Sequence, residues 1–133
     1  MTQETVVLFA NEAFYVNFTN HDADSMDAIW SARDDVTCIH PGWQPLRGRN
    51  AVMKSWRQIL KNSETPKIRC EHAHAYIDGT MAYVLCTEIL TEGQLAATNI
   101  FVLEDGVWKM VHHQASPMRS VTPEPAKNIP TLQ

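Results

Sequence analysis

Apolar residues recur at three- and four-residue steps near the start of the chain. Val7, Ala10, Phe14 and Phe18 fall along one stripe, which predicts a helix over about 3 to 20 with one face turned inward. Asp22, just after His21, is placed to cap a short second helix whose apolar face is Met26, Ile29 and Trp30. The period then changes. Val36 to His40 is a short β-rich run stopped by Pro41-Gly42, because proline cannot donate to a ladder and glycine frees the turn. After Gly48, Val52, Trp56, Ile59 and Leu60 share one face while Lys54, Arg57 and Lys61 take the other, predicting a third helix over about 49 to 62. The second half alternates. Runs 67 to 77, 81 to 91, 94 to 104 and 107 to 116 are separated by Asp78-Gly79, Glu92-Gly93 and Asp105-Gly106, each a hairpin signal.

Helices first and strands afterwards predict an α+β domain, three N-terminal helices packed on a curved antiparallel sheet. A long sheet must twist, and a twisted sheet curling over a helix leaves a concave end where a ligand can sit. Length adds one constraint: 133 residues fit one domain, assigned to 1–116, with 117–133 as a tail carrying Pro117, Pro123, Pro125 and Pro130. A net charge of −4 with scattered Lys and Arg removes the electrostatic term that nucleic-acid binding depends on. Glu4 and Glu12 replace the positive start of a secretory signal and no apolar run approaches a membrane span, so the expectation is a cytosolic chain without a membrane partner. Cys38, Cys70 and Cys86 are odd in number and lack CxxC spacing, which argues for reduced thiols.

Candidate chemistry is sparse. There is no Gly-rich phosphate loop, no HExxH and no paired-carboxylate motif. His72 and His74 form an HxH pair that could share a metal with Glu88, but spacing fixes no third ligand and the run is an ordinary strand, so neither metal nor cofactor is assigned. Trp43 and Trp56, with Tyr15 and Phe14, offer flat apolar surface that suits a small hydrophobic or aromatic ligand; the same residues suit a plain core. Asn99 alternates with Ala97 and Phe101 on one strand face, so its amide needs a partner in ligand or protein. His112 and His113 are adjacent on a strand and point to opposite faces.

The string Ala32-Arg33-Asp34-Asp35-Val36-Thr37-Cys38-Ile39-His40-Pro41-Gly42, then Leu46-Arg47-Gly48 before a helix, and finally Glu104 to His113, resembles the SnoaL-like family. That family is related to the ketosteroid isomerases, nuclear transport factor 2 and the association domain of calmodulin-dependent kinases. The resemblance spans about residues 5 to 116 and implies the cystatin-like cone fold. It places His40 where the ketosteroid isomerases carry their general base, Tyr15 near their hydroxyl donor to the oxyanion, and Asn99 where they hold a second donor. It turns Val111, His113 and Ala115 inward and Trp108, Met110, His112 and Gln114 outward. An outer face bearing Trp108 and Met110 implies a homodimer through that face. Two functions remain in view. One is a small-molecule binding or proton-transfer protein of isomerase, dehydratase or cyclase type, with His40, Tyr15 and Asn99 at the chemistry and Trp43, Trp56, Phe14, His113 and Phe101 around the ligand. The other is a non-enzymatic dimerisation or ligand-binding module without turnover.

Overall fold

The computed structural model describes residues 1–119. Helix α1 (Gln3–Thr19) starts on Thr2, whose hydroxyl accepts the Thr5 amide. α2 (Ala23–Ile29) starts on Asp22, whose carboxylate accepts the Ser25 amide. β1 (Thr37–Ile39) and the two-residue β2 (Leu46–Arg47) follow, then α3 (Arg49–Lys61), which begins at Gly48 with φ +95°. Four long strands complete the chain: β3 (Arg69–Asp78), β4 (Met81–Leu90), β5 (Gly93–Glu104) and β6 (Val107–Pro117). The pairs Asp78↔Met81, Leu90↔Gly93 and Glu104↔Val107 leave two-residue turns between them. At Asp105-Gly106 both central residues have positive φ, 51° and 81°, the twist that fits a tight hairpin.

These strands form one sheet in the order β2-β1-β6-β5-β4-β3. It is mixed: β1 runs parallel to β6, with Cys38 opposite His113. Parallel pairing is open to these two strands because a helix and four further strands separate them in sequence, so no hairpin dictates their sense. α1 lies in the concave side with Val7, Asn11, Phe14, Tyr15 and Phe18 buried. It faces Ala82, Val84 and Cys86 of β4, Ala97, Asn99 and Phe101 of β5, and Met110, His113 and Ala115 of β6, all buried. α3 closes the cone with Val52, Met53, Ser55, Trp56 and Leu60.

The buried stripe of α1 also takes in the polar Asn11, whose amide finds partners inside, while Ala10 packs half-buried against the core. One expectation is corrected. Trp108 and Met110 are not outward: they are 5% and 0% exposed. The ladder shifts register between Ile100↔His112 and Phe101↔Met110, so Val111 is an extra residue that inverts the alternation and sends both side chains into the core. Beyond the bulge, His113 and Ala115 face in and Gln114 faces out. The outer face instead presents Tyr76, Met81, Tyr83 and Leu85.

β6 runs through Pro117, and the Met118 amide donates to the Gln94 carbonyl. Of the tail expected over 117–133, residues 120–133 lie outside the described residues. Among the described residues no helix is long and apolar enough to cross a membrane.

Candidate active site

A cavity of about 280 Å³ opens at one end of the cone. α1 supplies Phe14, Tyr15 and Phe18, the end of β1 supplies His40, Pro41 and Trp43, and α3 supplies Trp56 and Ile59. Ile68, Leu90 and Leu95 complete the apolar wall, and Glu88 and His113 bring polar groups to it from β4 and β6. A wider and more open groove of about 490 Å³ lies between α1 and the β3–β4 pair, bordered by Glu12, Lys67 and Arg69. Size does not decide between them. Only the smaller cavity gathers Glu88, His40 and His113, so chemistry is sought there.

Glu88 is the residue that sequence reasoning treated only as a third metal ligand. It is 2% exposed, and burial away from water pushes its carboxyl up to about 7, even though a hydrogen bond from the Tyr15 hydroxyl at 2.7 Å pulls the other way. Its signal was in the alternation. Ala82, Val84 and Cys86 are the inward positions of β4, and Glu88 is next in phase, a charged residue where an apolar one belongs. His74 is exposed on the opposite face, so the HxH pair and Glu88 do not converge. Among the described residues no three His, Cys, Asp or Glu side chains are gathered to hold a metal.

A second set of polar groups is closed on itself. The Asn99 amide nitrogen donates to Asn11 Oδ1 at 2.8 Å and to the Tyr15 hydroxyl at 3.1 Å. Its oxygen must therefore accept from His113 Nδ1 at 2.5 Å, which fixes the proton on that nitrogen. His113 Nε2, left with a lone pair, stands 3.8 Å from Glu88 Oε2. Burial pushes His113 down to about 3, so it is neutral beside the acid. Tyr15 links the two sets: it accepts from Asn99 and donates to Glu88.

His40 sits between Trp43 and Trp56, with 4.7 Å between ring centroids on each side. Ser55 donates to the Val52 carbonyl at 2.7 Å, so its oxygen accepts from His40 Nε2 at 2.8 Å. Desolvation lowers His40 to about 4, making it an uncharged imidazole and a weak base at neutral pH. Ser55 was missed although it falls in phase with Val52 and Trp56 on α3. The Trp56 indole N–H is buried without a hydrogen-bond partner among the described residues, and its side chain lines the cavity.

Of the residues singled out by sequence, the structure brings His40, Tyr15, Trp43, Trp56, Phe14 and His113 to the cavity wall. Asn99 and Phe101 lie beneath it, 0% and 1% exposed, and do not line it.

The model of the SnoaL-like domain matches residues 7–120. The chain belongs to the SnoaL-like family. Its fold is the cystatin-like cone seen in relatives of known structure. A candidate dehydratase of the nuclear transport factor 2-like family from Streptomyces avermitilis is 30% identical, with a TM-score of 0.79 over 87% of this chain and 96% of that one. A candidate calcium/calmodulin-dependent protein kinase type II association domain from Thiobacillus denitrificans is 32% identical, with a TM-score of 0.77 over 83% and 93%. Among curated proteins, the F-box protein SKIP8 of Arabidopsis thaliana is 27% identical over 114 residues, which are 84% of this chain. The match spans about half of that relative, 49% of its length.

Proposed function

We propose that this SnoaL-like domain binds a hydrophobic carbonyl compound in the cone and moves a proton on it, in a reaction of isomerase, dehydratase or cyclase type. The observation that carries the proposal is Glu88. A buried carboxyl poised near pH 7 is matched to taking a proton and returning it at neutral pH, which neither the weakly basic His40 nor His113 is. In this reading the Glu88 carboxylate removes a proton from the carbon next to the carbonyl. The charge that develops on the carbonyl oxygen needs a donor. Tyr15 and Asn99 are committed to protein partners, so the donor assigned in this reading is the Trp56 indole N–H, which has no partner among the described residues and belongs to a side chain that lines the cavity. Tyr15 is then a positioning residue, holding Glu88 by one oxygen, while His40, Trp43, Phe14 and Phe18 shape the apolar seat. The likeness to a candidate dehydratase adds support.

The test is turnover of a β,γ-unsaturated ketone by wild type, Glu88→Gln, Trp56→Phe and His40→Ala. Loss of the base should slow the reaction by about 10² to 10⁴-fold, and loss of the donor by about 10²-fold. A rate unaffected by Glu88→Gln would remove the proposal.

A second reading, assembly without turnover, is favoured by the likeness to a kinase association domain and by the apolar outer face. Tyr76 and Tyr83 stack there with centroids 4.9 Å apart, and Leu85 is 44% exposed. Two copies pairing through this face would give a homodimer, checked by mass in native buffer. Leu85→Asp should then yield monomers, and a wild-type chain that stays monomeric at micromolar concentration removes the interface.

A further inference from the structure

The cavity wall is acidic at one point, aromatic around it, and supplies no cation. Glu88 is buried with its Oε2 taken by Tyr15, and among the described residues no Lys or Arg lines the space it borders. The titratable groups packed around it are Tyr15 from α1, Cys70 from the opposing β3 position, Cys86 from its own strand, His113 from β6, and Cys38 and His40 from the β1 side. None of them is a cation at neutral pH, since burial holds both histidines neutral. Phe14, Phe18, Trp43 and Trp56 line the same space with aromatic side chains.

We propose that this cavity is a receptor for a compact hydrophobic ammonium ion, with Glu88 as its counter-ion and the aromatic rings as its seat. A desolvated carboxylate is costly without an opposite charge, and none lines the cavity among the described residues. A neutral ligand leaves that cost in place and an anion adds to it. An ammonium ion removes it, and the ring quadrupoles attract the same charge. The inference rests on the pocket used for the proton-transfer reading and on Glu88, but requires no turnover. In substrate terms it predicts that amines compete with carbonyl compounds for the site. The proton balance is explicit: below the midpoint of Glu88, a quaternary ammonium ion binds as Glu88 releases its carboxyl proton to buffer, leaving the carboxylate against the cation.

The probe is benzyltrimethylammonium, whose charge does not change with pH, titrated calorimetrically into the full chain beside phenylacetate and a neutral aryl ketone. With Glu88 titrating near 7, affinity should rise about thirtyfold from pH 5.5 to pH 8, with about half a proton released per ligand at pH 7 when buffers of different protonation enthalpy are compared. In Glu88→Gln, which keeps the shape of the side chain, both signals should vanish, and circular dichroism shows whether that variant is folded. The wild-type pH series stands even if the variant is not. Ammonium binding that ignores pH, or ketone binding without ammonium binding, overturns the inference. Ammonium binding with its proton release but no ketone turnover overturns only the proton-transfer reading.

Discussion

Asn99 and Glu88 stand on neighbouring strands, both turned into the cone, both buried, and both touched by the Tyr15 hydroxyl. Asn99 spends its amide on Asn11, Tyr15 and His113, so its donors and acceptor are satisfied within the protein. Glu88 has Tyr15 on one oxygen, a neutral histidine 3.8 Å away, and a cavity in front of it. The first arrangement costs little and fixes geometry; the second leaves a titrating group where a ligand can reach it. Burial of a polar residue is therefore not what marks the candidate site. What marks it is burial without a full set of partners.

The largest effect expected from this contrast is on Glu88. Glu88→Gln should lower kcat on a β,γ-unsaturated ketone by about 10² to 10⁴-fold while the melting temperature at pH 8 holds or rises, because a buried charge is removed. Asn99→Ala should do the reverse. It leaves the His113 N–H, the Asn11 oxygen and the Tyr15 hydroxyl short of a partner, at about 2 to 3 kcal/mol of stability in urea unfolding. A loss below about 0.5 kcal/mol would mean that the network is not closed as described.

Stability against pH separates the two sets again. His40 and His113 titrate at about 4 and 3 when folded, below the ordinary 6.5, so the stability they contribute is full above 6.5 and lost as pH falls. Glu88 titrates at about 7 instead of 4.5, so its contribution is full below 4.5 and lost as pH rises through 7. Between pH 5 and 6 two histidines outweigh one acid, and from these three groups stability should rise by about 1.4 kcal/mol per pH unit, levelling near neutrality. Glu88→Gln removes the opposing slope and should steepen the rise to about twice that. Unfolding free energies of the two proteins at pH 5.0, 5.5 and 6.0 give the difference. The smallest effect is expected from Tyr15→Phe: losing the donor to Glu88 should move the midpoint of that acid further up, read as a shift of the pH–rate profile.

Much of the architecture was legible because it depends on period and turn chemistry. The α1 stripe, the Asp22 cap and the Asp105-Gly106 turn are local signals, and each lies where the sequence indicated. The parallel seating of β1 on β6 was not legible, since it is decided between segments far apart in sequence. The bulge at Val111 was invisible for another reason: one extra residue leaves composition unchanged but reverses which side chains face the core, which misplaced Trp108 and Met110. The cavity was legible through His40 and the tryptophans, which stand at its wall. The distribution of hydrogen bonds was not. Only the folded geometry commits Asn99 to Asn11 and His113 while leaving the Trp56 N–H without a partner among the described residues and Glu88 at the cavity wall.

Both roles proposed for the cavity depend on Glu88 titrating near neutrality inside the folded protein. A carbon-detected NMR titration of its side-chain carboxyl, assigned by comparison with Glu88→Gln, measures this directly. The expected midpoint is about 7. A midpoint near the ordinary 4.5 would mean that water or an unforeseen donor reaches the carboxylate, and would contradict both its assignment as the proton carrier and the reading of the cavity as a dry, acidic seat.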